Sequence, residues 1–321
     1  MPKHTTPPAG VALALRAPGL DETAAAGFRS TSVDGAEPAA LTVDTHHDLA
    51  SVTKIVATTT ALLRLVSAGA VGLDDELRHY LSGFGAGEKA TVTVRDVLLH
   101  RAGLWEWYPL YLAADDAETA TAFLDRMPLR YPPRSGRHYS DLGFMMLGRI
   151  IAQVAAEPLQ GAIATLVTGP LQMSSTRFAR PAGDEIAMSS FGDQVEIAMI
   201  DTGIPYPTPY RSDDFTSWRR SPVEGTVNDG NAFHVFAGTS GHAGLFSTLS
   251  DLVMFADTLA SYEEHSELWK PEVAREFFAP GPDADQALGF RRYCLDLGSE
   301  HVTMLGHPGF VGCAVGLVPG R

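Results

Sequence analysis

The stretch from Asp44 to Gly69, DTHHDLASVTKIVATTTALLRLVSAG, decides how the rest of the chain is read. Its apolar residues Ile55, Val56, Leu62, Leu63, Leu65 and Val66 recur at three- and four-residue spacing, and Gly69 follows the last of them as a helix stop. The pattern predicts one buried helix of about four turns. Ser51 and Lys54 stand in its opening turn, and residues three apart share a helix face, so the amine can reach the hydroxyl. A serine hydroxyl becomes a nucleophile when a nearby base takes its proton, and a desolvated lysine can be that base. The positive end of the helix then favours the developing oxyanion.

Ser-x-x-Lys also describes an ordinary surface helix, so partners must complete it. Tyr139-Ser140-Asp141 stands just before the apolar run LGFMMLG, which places its side chains on a loop at a helix start, where a phenol can relay a proton. His307-Pro308-Gly309 sits where a strand begins, and its glycine lets a backbone approach a ligand closely. Each of these alone reads equally as an ordinary tyrosine or a turn.

Taken in this order, Ser51-x-x-Lys54, Tyr139-Ser140-Asp141 and His307-Pro308-Gly309 resemble the three motifs of the serine β-lactamase and penicillin-binding-protein superfamily. The flanking segments DLASVTKIVATTTALLRLV, RDVLLHRAGL, YSDLGFMMLGRII, GPLQMSSTRF and GHAGLFSTLSDL look like its class C-like branch, which includes family VIII carboxylesterases. The resemblance implies Ser51 as nucleophile, Lys54 as general base or proton shuttle, and Tyr139 as a second proton carrier whose phenolate Lys54 stabilises. It places Asp141 at the family's asparagine position and His307 at its lysine or histidine position. Gly309 follows on the same strand, and the oxyanion hole falls to the backbone N–H groups of Ser51 and Phe310, such donors being worth about 3 kcal/mol each.

Three departures stand out. Asp141 when ionised only accepts hydrogen bonds, whereas an amide also donates. Pro308 replaces a hydroxyl-bearing residue, and His307 is no permanent cation, which together tilt the expected substrate toward a neutral ester or amide. Relatives usually add at least one strand and a helix after the stretch matching GHPGFVGCAVGLVPG, so either a further tail or another way of finishing the sheet edge is expected, an uncovered edge being an aggregation hazard.

Along the chain, residues 10 to 33 give two apolar runs around Pro18-Gly19, a hairpin signal. LDDELRHYL reads as a short helix with Asp74 and Asp75 in its first turn. Thr93 with Asp96 makes a capping pair. Residues 104 to 109, LWEWYP, gather Trp105, Trp107 and Tyr108, either as core or as the aromatic wall of a pocket. Residues 116 to 170 are helical in pattern, and 181 to 232 read as long loops. In AGTSGHAGLFSTLSDL a turn near the site entrance precedes a helix that Ser250 and Asp251 could cap. The fold class expected is α/β (α+β) and β-lactamase-like: an antiparallel sheet flanked by helices and built from both termini (1–69 and 233–321), with a mostly helical insertion at 70–232.

The net charge of −14 over 321 residues argues against nucleic acid and anionic membrane surfaces as partners, and leaves a small ester, amide or peptide-like molecule. Composition does not give an oligomeric state. The amino-terminal segment has only the five-residue apolar run VALAL, so a cytoplasmic location is expected. Cys294 and Cys313 read as buried free thiols. His46-His47-Asp48 lacks further ligands at matching spacing, and neither a metal nor a cofactor is expected. Trp218-Arg219-Arg220 reads as a solvated surface patch.

The expectation is therefore a metal-independent serine hydrolase forming an acyl-enzyme on a small ester or amide. The alternatives are a β-lactamase or D-alanyl-D-alanine carboxypeptidase, an acyltransferase, and a catalytically weak binding protein that keeps the fold.

Overall fold

The computed structural model describes residues 8–31, 37–85, 87–298 and 300–321. Residues 1–7, which belong to the amino-terminal segment read above, and residues 32 and 33 of the expected hairpin stretch lie outside them. Pro18 and Gly19 (φ 79°) turn the chain between strands β1 (Gly10–Ala17) and β2 (Leu20–Gly27), which pair antiparallel from Gly10 opposite Gly27 to Ala17 opposite Leu20. Strand β3 (His47–Asp48) then leads into a 3₁₀ turn, Ala50–Val52.

The helix predicted from Asp44–Gly69 follows, but only its second half, α1 (Thr60–Ser67), is regular. Lys54–Thr59 is wound with wider π geometry, and there the Thr60 hydroxyl donates to the Ile55 carbonyl (2.8 Å). The expected LDDELRHYL helix shrinks to the 3₁₀ turn Leu77–His79. Asp75 turns its carboxylate back onto the Gly72 N–H (2.8 Å) and the Tyr80 hydroxyl, while Asp74 pairs with Arg95, so neither serves a helix start.

Helix α2 (Val94–Leu98) opens on the Thr93–Asp96 capping box. After α3 (Leu110–Ala113) and α4 (Ala117–Arg126) comes the long α5 (Asp141–Ala155), whose first turn is capped by the Ser140 hydroxyl accepting from Gly143 N–H (3.1 Å). Helix α6 (Leu159–Ile163) and strand β4 (Arg177–Phe178) precede the region read as loops. That region in fact carries β5 (Met188–Phe191), α7 (Gln194–Thr202), β6 (Pro222–Glu224) and α8 (Gly230–His234). Helix α7 buries only Ile200, so no apolar stripe announces it.

Strand β7 (Leu245–Ser247) runs into α9 (Leu249–Ala260), with Thr248 rather than Ser250 at its N-cap position. Asp251 instead accepts from Ser175 N–H (2.8 Å) and the Thr176 hydroxyl (2.7 Å). Helix α10 (Pro271–Phe278) is followed by β8 (Arg291–Asp296), β9 (His301–Pro308) and β10 (Ala314–Leu317).

Among the described residues the strands form four antiparallel sheets: β1–β2, β3–β7–β4, β5–β6 and β10–β9–β8. The amino-terminal hairpin and the carboxy-terminal sheet meet on α9, which packs against both β1 and β10. One continuous core joins Val52, Ile55 and Leu62 with Phe144 and Ile151 of α5 and with Leu305 and Leu317 of the last sheet. Burial of each such side chain is worth about 2 kcal/mol.

Two expectations about side chains change. Trp218 is buried (8 % exposed), and Arg219 pairs with Asp193 (2.6 Å) and donates to the Val227 and Asn228 carbonyls, so only Arg220 of that trio is a surface residue. Both cysteines are free, but Cys294 is exposed and Cys313 is half-buried. Among the described residues no single helix is long and apolar enough to cross a membrane.

Candidate active site

Ser51 is placed by a local backbone device. Ala50 adopts φ 42°, a left-handed conformation unfavourable for a residue with a Cβ, and its N–H is held by the Asp48 carboxylate (2.8 Å). The other Asp48 oxygen accepts from Asn228 N–H (2.6 Å). Burial raises the Asp48 pKa to about 6, against the pull of those two backbone donors. Asp48 thus straps the turn before Ser51 to the loop before α8.

Two groups meet at the Ser51 hydroxyl oxygen. Lys54 Nζ lies at 2.9 Å and Tyr139 Oη at 3.0 Å, each placed to donate. Lys54 is fully buried, and its amine has two further acceptors: Asp141 Oδ1 at 2.6 Å and the His242 carbonyl at 3.2 Å. Burial pushes the Lys54 pKa down, but the adjacent Asp141 and Tyr139 outweigh it, and the net shift is upward. The Tyr139 pKa is also raised, by burial foremost. The resting site therefore holds a charged lysine beside a neutral phenol.

Asp141 opens α5 and faces Lys54, so its carboxylate serves the amine; its backbone N–H donates to the Glu106 carbonyl (2.8 Å). Strand β9 brings the last motif in. Gly309 donates to the Cys313 carbonyl (2.6 Å), and a Cβ built on Gly309 would stand 2.7 Å from the Leu49 carbonyl oxygen. Only glycine lets this strand end touch the backbone two residues before Ser51. Phe310, next along, is 47 % exposed. The His307 ring lies 5.7 Å from the Tyr139 ring, its Nδ1 bonded to the Pro308 carbonyl (2.8 Å), which leaves Nε2 as an acceptor without a partner among the described residues. Burial, with Lys54 close by, lowers the His307 pKa to about 3, so the ring is neutral near pH 7.

Of the aromatic trio, Trp105 is half-buried, with its indole N–H on the Pro128 carbonyl (3.0 Å) and its own carbonyl accepting from the Ser140 hydroxyl (2.6 Å). Trp107 and Tyr108, 7 % exposed each, lie within the core.

The sequence reading missed the groups behind the site. His242, read as part of an entrance turn, is buried beneath Lys54, with Nε2 2.9 Å from Asp229 Oδ1 and Nδ1 2.8 Å from the Ser240 hydroxyl. His100 stacks on Tyr139 (4.7 Å) and Phe144 (5.2 Å), and its Nδ1 accepts from Ser140 N–H (3.0 Å). Burial, then Lys54, His307, Arg291 and Arg137, hold its pKa well below the ordinary imidazole value. The glycines around His242 were the only local signal.

A sequence model of the family described as Beta-lactamase matches residues 9–321. A putative D-alanyl-D-alanine carboxypeptidase of Escherichia coli O157:H7 is 30 % identical over 282 residues, covering 81 % of this chain and 62 % of that relative. An N-acetylmuramyl-L-alanine amidase of Bacillus subtilis is 30 % identical over 306 residues, 89 % of this chain and 67 % of the relative. The chain thus spans about 62 % and 67 % of the length of these two curated proteins. Among solved structures, the octameric penicillin-binding protein homologue from Pyrococcus abyssi superposes with a TM-score of 0.71 at 19 % identity, over 97 % of this chain and 67 % of that one. EstCE1, a hydrolase with promiscuous acyltransferase activity, gives 0.67 at 20 % identity, over 97 % and 88 %. Both solved structures share the fold at low sequence identity.

Proposed function

Because the chain belongs to the Beta-lactamase family, we propose that it is a serine hydrolase that forms an acyl-enzyme on Ser51 and cleaves a small ester or amide. One observation carries the reading: the Ser51 oxygen is held by Lys54 Nζ at 2.9 Å and Tyr139 Oη at 3.0 Å. Residues 1–69 and 233–321 would form one lobe, supplying Ser51, Lys54 and His307. Residues 70–232 would form the other, supplying Tyr139 and Asp141.

Since Lys54 is charged at rest, it accepts the Ser51 proton only as it passes one of its own to Asp141, 2.6 Å away. Ser51 Oγ then bonds to the substrate carbonyl carbon, and the N–H groups of Ser51 and Phe310 receive the oxyanion. As the tetrahedral species collapses, Tyr139 gives its proton to the leaving oxygen or nitrogen and is reprotonated through Lys54 from Asp141. Water attacks the ester with the same groups acting in reverse. A peptide substrate, cleaved as by a D-alanyl-D-alanine carboxypeptidase, is the second reading, favoured by curated relatives described as a carboxypeptidase and an amidase.

Intact-mass spectrometry after incubation with a short-chain p-nitrophenyl ester tests this. The acyl mass is expected on wild type and not on Ser51→Ala. Equal p-nitrophenol release by the two proteins would overturn it.

A further inference from the structure

Of Ser51, Lys54 and Tyr139, only Tyr139 stands outside a helix, strand or turn, so its phenol is only as well placed as the segment around it. Two N–H groups of that segment end on one residue. The His100 carbonyl accepts from His138 N–H (2.8 Å), and the His100 ring accepts at Nδ1 from Ser140 N–H (3.0 Å), so the chain is gripped on both sides of Tyr139. The same ring packs on the Tyr139 ring at 4.7 Å and on Phe144 of α5 at 5.2 Å. His100 is 3 % exposed and follows α2 with φ 56°, a left-handed conformation that persists where surrounding contacts hold it.

An imidazole accepts at Nδ1 only when that nitrogen carries no proton. Burial, then Lys54, His307, Arg291 and Arg137, hold the His100 pKa well below the ordinary value, so near pH 7 the ring is neutral and its one proton falls to Nε2. Asp141, next in the segment, has a separate hold through its own N–H on the Glu106 carbonyl (2.8 Å). Loss of the His100 acceptor therefore loosens Tyr139 and leaves the Lys54–Asp141 pair in place.

We infer that His100 is a positioning residue for the reaction, acting through Tyr139: by accepting Ser140 N–H at Nδ1 it keeps the phenol on Ser51. This deepens the serine-hydrolase reading and rests on it.

Two substitutions separate the acceptor from the ring. Asparagine Oδ1 branches from Cγ as histidine Nδ1 does, and asparagine tolerates a left-handed backbone, so His100→Asn keeps the acceptor and discards the stack. His100→Phe keeps the stack and discards the acceptor. With a short-chain p-nitrophenyl ester, His100→Phe should lower kcat about tenfold to a hundredfold while KM changes by less than about twofold. His100→Asn should keep kcat within about threefold of wild type. In a Tyr139→Phe background, which has no phenolic proton to place, adding His100→Phe should cost less than about threefold more. That pattern supports the inference. Equal losses for His100→Asn and His100→Phe overturn it. So does a His100→Phe loss as large without the phenol as with it, because a residue that only supports the fold costs the same in both backgrounds.

NMR of wild type labelled with 15N-histidine needs neither turnover nor a folded His100→Phe. The signal that His100→Asn removes should show a neutral ring protonated at Nε2 and should not titrate between pH 5 and pH 8. A ring that titrates in that range, or carries its proton on Nδ1, overturns the inference. Failure of the hydrolase reading is distinct: wild type would turn over the ester no faster than Ser51→Ala, whatever the state of the ring.

Discussion

Lys54 is a buried cation whose partners come from different parts of the chain: Ser51 beside it, Asp141 at the start of α5 as its counter-ion, and the His242 carbonyl before β7. Losing any one leaves a buried N–H unpaired, so Lys54 tolerates little movement. Tyr139 differs, because its hydroxyl donates to Ser51 while its ring packs on His100. Tyr139→Phe keeps that packing and removes one proton carrier, so a loss of about 10²- to 10⁴-fold in kcat is expected with the melting temperature nearly unchanged. A variant with wild-type kcat would remove Tyr139 from the chemistry. Ser51, Lys54, Tyr139 and His307 were legible because motif spacing carries side-chain chemistry. His242 was not, since it acts on Lys54 through a backbone carbonyl that any residue type possesses.

At the scale of elements, the site depends on how closely the loop at Gly241 approaches α5. A Cβ on Gly148 would stand 2.9 Å from Gly241 Cα and 3.0 Å from Gly241 N, and the Gly241 carbonyl receives the Thr58 hydroxyl (2.6 Å). The loop is thus clamped between α5 and the π-wound start of the Ser51 helix, with the His242 carbonyl aimed at Lys54. Gly148→Ala should push it away, costing about 1–3 kcal/mol of stability and a larger fraction of kcat than of substrate affinity. Thermal melts and steady-state kinetics on the variant check both; an unaltered kcat would show the clamp is not needed. Helices with a clear apolar stripe, such as α5, could be read from sequence, as could the α2 capping box. Helix α7 could not, because it buries only Ile200 and shows no apolar stripe, and the LDDELRHYL helix was lost because Asp75 turns back onto the Gly72 N–H while Asp74 pairs with Arg95.

The whole molecule carries a net charge of −14, and part of its acidity is internal. Glu196 accepts from Gly230 N–H (2.7 Å) and from the Tyr111 hydroxyl, and burial followed by the nearby Asp229 raises its pKa to about 8. Asp229 itself is lowered to about 2, because His242 and the Ala232 N–H outweigh its burial. The folded state therefore holds an extra proton at Glu196 between the ordinary value of 4.5 and about 8, and stability from this group falls as pH rises through that window. Glu196→Gln cannot ionise, so its melting temperature relative to wild type should rise from pH 5 to pH 9. Asp48 titrates alike in both proteins and cancels in the difference. A relative melting temperature that is flat or declining would show Glu196 ionised throughout.

The two thiols differ in a way that serves experiment. Cys313 rests its sulfur on the Leu49 carbonyl (3.1 Å) two residues before Ser51, and burial pushes its pKa up to about 12, so at mild pH it stays protonated and unreactive. Cys294 is exposed on β8, three residues beyond Arg291 and so on the opposite face of that strand by alternation. A maleimide dye therefore has one address on the native molecule, the exposed face of β8.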